Sequence, residues 1–144
     1  ERIETVMPLF LQTVEHWQES SGIAPAGTVL VGFSQGAIVS LESTQVEGAQ
    51  AAAGRVIALA GRFAHPPRRA PGGLRYHLVH GEQDTVVPAR FSVDAARALT
   101  ALGGAVTLDL LPGLGHGIDA RVARLVLGYV GEPAGSDSST PRPG

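Results

Sequence analysis

Four short runs of mostly apolar residues are spread along the chain, and each is bounded by glycine, proline or polar residues. Apolar side chains on both faces of a run are typical of strands in a parallel sheet that is covered by helices on each side. We predict strands at 28–31, 55–60, 74–79 and 105–111, and helices at 3–17, 35–46, 89–102 and 118–130. This order predicts a three-layer α/β domain with a mostly parallel sheet and right-handed crossovers.

Three segments depart from this regular order. The first helical pattern contains Pro8, which cannot donate a backbone hydrogen bond, so we expect irregular first turns or a regular helix that begins near Met7. Residues 61–73, rich in Pro, Arg and Gly, form a loop where a full helix would otherwise connect the second and third strands. The domain is predicted to span 1–131, and the Gly-, Pro- and Ser-rich segment 132–144 to be a disordered tail.

The composition argues against several classes of function. The 11 basic and 13 acidic residues nearly balance and form no Lys/Arg run, so binding to nucleic acid or to an anionic membrane is not expected. The chain has no cysteine, which excludes disulfides and thiolate zinc sites and suits a reducing, cytoplasmic compartment. No apolar run approaches the roughly 18 residues that span a bilayer, so we expect no stable membrane anchoring.

A serine lies directly between the first predicted strand and the helix that follows it, in Gly32-Phe33-Ser34-Gln35-Gly36. Gly-x-Ser-x-Gly at a strand-to-helix turn forms a nucleophile elbow, where the strained backbone crowds its neighbours and is expected to require both glycines. The pattern alone has little specificity in a chain with 19 glycines. The strand before it and the helix after it supply the context, so we predict that Ser34 is a nucleophile.

An acid and a base for this serine follow it in the chain. Asp84 comes soon after the third predicted strand, and His116 soon after the fourth, between two glycines that should let backbone approach closely. The carboxyl ends of parallel strands meet at one edge of a sheet, so these two residues should lie beside Ser34. We predict that His116 takes the proton of Ser34 and that Asp84 orients the imidazole. The backbone N–H of Gln35, at the helix N-terminus, should supply one oxyanion donor.

Two other carboxylates are weaker candidates than Asp84 for the residue that orients His116. Glu82 lies two residues before Asp84 and is less well placed. Asp109 falls inside the fourth strand, where a solvent-facing or paired carboxylate is expected.

The remaining histidines are interpreted as structural. His77 and His80 are three residues apart on the third strand and therefore point to opposite faces, which argues against a shared metal site. His65 belongs to the loop 61–73, which could line an acyl or alcohol pocket, although a solvated loop is favoured. No metal site is predicted.

Three motifs together carry a resemblance to a known family. They are VGFSQGA at 31–37, HGEQD at 80–84 with the following Val87 and Pro88, and the Gly-His pair at 115–116. These residues resemble the carboxylesterase/phospholipase family of α/β-hydrolases, which also includes acyl-protein thioesterases, and the likeness extends from the first helix to about residue 130. It implies the α/β-hydrolase fold and hydrolysis of short- to medium-chain acyl esters, without a cofactor.

The same resemblance exposes a gap before Ser34. Members of this family have further strands ahead of the nucleophile strand, and the loop after one of them supplies the second oxyanion N–H. Only the first helix precedes that strand here, so we expect an N-terminally truncated member with about four strands. One remaining donor predicts a loss of about 10² to 10³ in kcat. The nucleophile strand also becomes an apolar, unpaired sheet edge that invites pairing with another chain, including a second copy.

Two alternatives stay open beside a serine esterase or thioesterase with a small-molecule substrate. A peptidase of the same fold would use the same motifs. A weakly active or inactive remnant would act instead as a binding or dimerising module. The intact set of Ser34, Asp84 and His116 argues against this remnant, whereas the absent strands argue for it.

Overall fold

The computed structural model of the chain describes residues 2–47 and 51–133. Eight elements follow in the order α1 (Arg2–Ser21), β1 (Val29–Phe33), α2 (Gln35–Glu42), β2 (Arg55–Leu59), β3 (Arg75–Gly81), α3 (Arg90–Ala101), β4 (Ala105–Leu111) and α4 (Ala120–Val130). Short 3₁₀ turns occupy Pro25–Gly27 and Ser43–Gln45. From residue 134 onward, the tail predicted for 132–144 lies outside the described residues.

The four strands form one sheet in the order β1-β2-β3-β4, and every pair is parallel. This confirms the predicted parallel α/β architecture. The bounds predicted for β4 are the observed ones, whereas β1 and β3 each extend two residues further than predicted. The extra residues of β3 belong to the ladder, because His80 and Gly81 still pair with Leu110 and Leu111 of β4.

Helices cover both faces of the sheet because successive strand residues point in opposite directions. On one face, Val56 and Ala58 of β2 belong to a core cluster with Leu41 of α2 and Leu99 of α3. On the other face, residues of β2 and β3 pack against α4 through Val122. All five residues of β2 are buried, as expected for a strand between two helical layers.

Two helices differ from their predicted form. α1 runs without interruption through Pro8, because a proline has a helical φ and removes only one hydrogen bond from a helix of 20 residues. α2 ends at Glu42 rather than continuing to residue 46, and a 3₁₀ turn follows. The hydroxyl groups of Ser43 and Thr44 donate to the carbonyls of Ser40 and Leu41, which competes with the helical ladder and tightens this last turn.

β1 forms one edge of the sheet. Its residues Val31 and Phe33 are 47% and 37% exposed, which is high for large apolar side chains. Between Arg2 and Thr28 the described chain contains α1 and a 3₁₀ turn but no strand, as expected from the sequence. The described helices include none with the length and apolar character needed to cross a bilayer.

Candidate active site

Ser34 lies at a strained turn between β1 and α2. Its φ is 56° and its ψ is −114°, a backbone conformation that residues other than glycine rarely adopt. Its N–H donates to the carbonyl of Leu59 at 2.9 Å. A Cβ at Gly32 would lie 2.4 Å from the backbone of Gly36, so Gly32 must be glycine. A Cβ at Gly36 would meet nothing within 4 Å. The expectation that crowding requires both glycines is therefore wrong for Gly36.

Asp84 is buried in the loop after β3, and its carboxylate is fully engaged. Oδ1 accepts the N–H groups of Val86 and Val87, both at 2.9 Å, and Oδ2 lies 2.7 Å from Nδ1 of His116. Burial by itself raises the pKa of Asp84, but hydrogen bonds from His116, Val87 and Val86 outweigh it and hold the pKa below its usual value. The carboxylate is thus ionised at neutral pH.

His116 connects this carboxylate to the serine. Its Nε2 lies 3.0 Å from Oγ of Ser34, while Nδ1 faces Asp84. An ionised carboxylate only accepts, so Nδ1 carries a proton and, in the neutral ring, Nε2 is left to accept the serine hydroxyl. The His116 side chain is 19% exposed, and the ring of Phe33 lies 5.0 Å from it between centroids. The structure therefore brings Ser34, His116 and Asp84 into one hydrogen-bonded chain.

The loops that carry the acid and the base are packed against each other at Gly81. A Cβ there would lie 2.2 Å from the carbonyl oxygen of Leu114, and the N–H of Gln83 donates to the same oxygen at 2.8 Å. The glycines that flank His116 are less constrained. A Cβ at Gly117 would meet nothing within 4 Å, and one at Gly115 only an atom at 3.9 Å. The close backbone approach predicted beside the histidine occurs instead at the end of β3.

Family membership follows from comparison with known proteins. The family model described as Phospholipase/Carboxylesterase matches residues 1–130. The chain belongs to the phospholipase/carboxylesterase family. Esterase YpfH of Escherichia coli K12 is 43% identical over 129 residues, which cover 90% of this chain and 55% of that protein. Acyl-protein thioesterase 1 of Gibberella zeae is 34% identical over 102 residues, or 67% of this chain and 43% of that protein.

Solved structures support the same fold for this phospholipase/carboxylesterase member. The crystal structure of esterase PE8 has a TM-score of 0.77 at 28% identity and is matched over 89% of this chain and 60% of its own. The carboxylesterase of Bacillus cereus has the same TM-score and coverage at 12% identity, and this similarity supports only the fold. The chain adopts the α/β-hydrolase fold, and it spans between about half and 60% of the length of most of these relatives.

A backbone N–H without a helical partner lies next to Ser34 at the start of α2. The N–H of Gln35, the first residue of this helix, has no partner within the helix because the first N–H groups of any helix lack one. Ser34 immediately precedes it, so a negative charge formed beside the serine Oγ would lie near this N–H. The described chain before Ser34 contains no strand-to-loop segment that would place a second donor there.

The other candidate residues form no hydrogen bond with the side chains of Ser34, His116 or Asp84. His77 and His80 contact opposite faces, as predicted, since His77 stacks on Tyr129 of α4 whereas His80 meets Ser92 of α3. Asp109 is paired with the hydroxyl of Tyr129. In the described part of the chain, no three His, Cys, Asp or Glu side chains are grouped so as to hold a metal ion.

The loop 61–73 is held by buried side chains of α2 and its following turn, which sequence reasoning missed. Oε2 of Glu42 accepts the N–H of Ala64 at 2.8 Å, and Oε1 of Gln45 accepts that of Arg68 at 2.8 Å. Between the loop and α3 lies a cavity of about 360 Å³, lined in part by His65. The run of polar residues at 42–45, at the end of the predicted helix, is a signal for such contacts, but it is not specific.

Proposed function

We propose that this chain is a serine hydrolase that cleaves carboxylic esters or thioesters through an acyl-enzyme. The observation that carries the proposal is the hydrogen-bonded chain from the Ser34 hydroxyl, through His116, to the Asp84 carboxylate. Each step of that chain has the length of a normal hydrogen bond. The serine also stands at a strained turn with a helix N-terminus beside it.

Acylation uses all three side chains. Ser34 Oγ attacks the carbonyl carbon while Nε2 of His116 takes the hydroxyl proton, and Asp84 stabilises the imidazolium that forms. The oxyanion is stabilised by the N–H of Gln35. The tetrahedral intermediate then collapses, and His116 returns the proton to the leaving alcohol or thiol. Ser34 is left as an acyl ester.

Deacylation repeats these steps with water. His116 takes a proton from a water molecule, whose oxygen attacks the acyl carbon, and the proton then passes to Ser34 Oγ as the carboxylic acid is released. Proton and electron balance close with three side chains and water, so the proposed reaction requires no cofactor.

The substrate class rests on the relatives. Two of them are named an esterase and an acyl-protein thioesterase, which supports acyl esters or thioesters, and we extend this to short and medium chains. The matched part is about half of each of these proteins, so their complete activity is itself part of the proposal. A cytoplasmic location is likewise proposed, from the absence of cysteine.

The exposed edge of the sheet favours a second candidate. Among the strands that the structure describes, β1 pairs only with β2, and its Val31 and Phe33 are exposed to solvent. Such an edge can pair with a second copy of the chain. In this alternative the chain is a weakly active or inactive dimerising module.

Covalent labelling by a fluorophosphonate probe tests the proposal without requiring turnover. The wild-type chain and Ser40→Ala, which removes a buried serine of the same helix, should both be labelled, whereas Ser34→Ala should not. Absence of labelling in the folded wild type would contradict the proposal and support the module. Turnover of p-nitrophenyl butyrate, its thioester counterpart and a matched anilide then separates esterase, thioesterase and peptidase activity.

A further inference from the structure

His80 is the most deeply buried polar residue near the candidate site. It contacts α3 and the loop that carries Asp84. Its Nδ1 lies 2.6 Å from Oγ of Ser92 on α3, and its Nε2 lies 2.6 Å from the carbonyl oxygen of Val87. The same Nε2 is 3.4 Å from Oδ2 of Asp84. The sequence placed His80 only at the end of a strand, with a structural role.

These contacts define the tautomer of His80. A carbonyl oxygen can only accept, so Nε2 carries a proton that it donates to Val87. In the neutral ring, Nδ1 is then the acceptor and the hydroxyl of Ser92 is the donor. Ser92 is itself buried on α3, so the imidazole is held between a strand, a helix and a loop.

Val87 transmits this restraint to Asp84. Its carbonyl accepts from His80, and its own N–H donates to Oδ1 of Asp84 at 2.9 Å. Nε2 of His80 also lies 3.4 Å from Oδ2 of Asp84, the oxygen that accepts from His116. This contact is not a hydrogen bond, so the restraint on Asp84 passes through Val87.

We propose that His80 and Ser92 are positioning residues that orient the Asp84 carboxylate toward His116. The role rests on the proposed function, since an oriented carboxylate is useful only if His116 acts as a base. Neither residue contacts the nucleophile, and both act through the loop at 84–87. Outer hydrogen-bond partners of this kind hold functional side chains within the narrow range of angles that catalysis needs.

A merely structural role predicts something different. His77 is a matched control because it lies on the same strand and is also buried, at 3% exposure against 1% for His80. Its Nδ1 is hydrogen-bonded to Thr107 on the opposite face, away from Asp84. If His80 only fills space and satisfies polar atoms, replacing either histidine should lower stability and leave the Asp84–His116 bond unchanged.

The far-downfield proton resonance of His116 Nδ1 in its hydrogen bond to Asp84 reports the orientation directly. We expect it in the wild type and His77→Leu, and we expect it to shift or broaden beyond detection in His80→Leu. His80→Gln should restore it, because its amide N–H can reach the carbonyl of Val87. If His80→Leu fails to fold, Ser92→Ala is a milder test. In that variant the His116 Nδ1 resonance should shift.

The rate of fluorophosphonate labelling of Ser34 supplies an independent readout. It should fall about tenfold in His80→Leu, the lower end of the losses seen when partners behind metal-bound histidines are removed, and recover in His80→Gln. An unchanged resonance in folded His80→Leu or Ser92→Ala, or its absence from the wild type, would overturn the proposal. Failure of the wild type to be labelled would overturn the proposed function instead, while the resonance would still decide the role of His80.

Discussion

Two hydroxyl–histidine–carboxylate groups lie at opposite ends of the same parallel strands. At the carboxyl ends, Ser34, His116 and Asp84 form one group. Nearer the amino ends, Nδ1 of His77 lies 2.7 Å from the Thr107 hydroxyl, and its Nε2 lies 3.5 Å from Glu132. The residue types correspond, but the geometry and the surroundings do not.

The carboxylates of the two groups are used differently. Asp84 is held by hydrogen bonds from two backbone N–H groups and from His116. Glu132 faces two cations as well as a histidine, with Arg55 at 3.6 Å and Arg75 at 3.9 Å. Its charge therefore serves to tie the segment after α4 to the first residues of β2 and β3.

The histidines also differ as bases. His77 is buried and stacked on Tyr129, with ring centroids 3.8 Å apart. Burial lowers its pKa, Glu132 opposes this effect and Arg55 adds to it, so that the pKa of His77 falls to about 4. Such a weak base is poorly matched to taking a hydroxyl proton at neutral pH, and Thr107 lies within a strand rather than at a helix N-terminus. A triad thus depends on burial, charge and backbone context, not on residue types alone.

The largest effect is expected at Asp84. In Asp84→Asn the amide N–H can donate to Nδ1 of His116, so that the ring proton resides on Nε2 instead. A protonated Nε2 can no longer accept the hydrogen bond from Ser34. We expect the labelling rate of Ser34 to fall about 10³- to 10⁴-fold with the fold retained. Asp94→Asn, on the exposed surface of α3, is the control and should be labelled at the wild-type rate. A loss below tenfold would mean that Asp84 does not orient His116.

Glu132→Gln should have the opposite pattern of effects, because it should lower stability and leave the labelling of Ser34 unchanged. Both Arg55 and Glu132 have buried side chains, and removing one charge of a buried pair leaves the other uncompensated. We expect the free energy of unfolding in urea to fall by about 3 kcal/mol while the labelling rate of folded protein is unchanged. The exposed Glu82→Gln should change neither quantity. A slower labelling rate in Glu132→Gln would show that the two ends of the sheet are coupled.

Proximity of Ser34, Asp84 and His116 could be predicted because each follows the end of a strand in a parallel sheet. The ends of neighbouring parallel strands lie together whatever the side chains between them, so chain order and strand recognition suffice. That the N–H of Gln35 has no partner within α2 follows equally from its place at the start of a helix.

Contacts between distant elements could not be predicted in this way. The pairing of His80 with Ser92 depends on which turn of α3 packs over the end of β3, and no periodicity encodes that distance. The crowding at Gly81 likewise depends on the path of the loop before His116, and the glycines beside His116 do not reveal it. Pro8 lies inside α1, so a single proline does not by itself mark where a helix of 20 residues begins.

The smallest effect is a pH dependence that belongs to His77 alone. In the unfolded chain a histidine has a pKa of about 6.5, whereas burial lowers the pKa of His77 in the folded chain to about 4. As the pH falls between these values, the unfolded chain binds a proton that the folded chain does not, so the free energy of unfolding decreases. The limiting slope is about 1.4 kcal/mol per pH unit, which gives about 2 kcal/mol between roughly pH 6 and pH 4.5.

Urea unfolding across this range, in the wild type and in His77→Gln, isolates that contribution. The difference in slope between the two proteins should be close to the expected value, because the other titrating groups are common to both. Asp84 contributes in a separate window, since its lowered pKa means that the stability it provides is lost only as the pH falls below about 4. Equal slopes would mean that His77 titrates alike in both states, and its contrast with His116 would then rest on geometry alone.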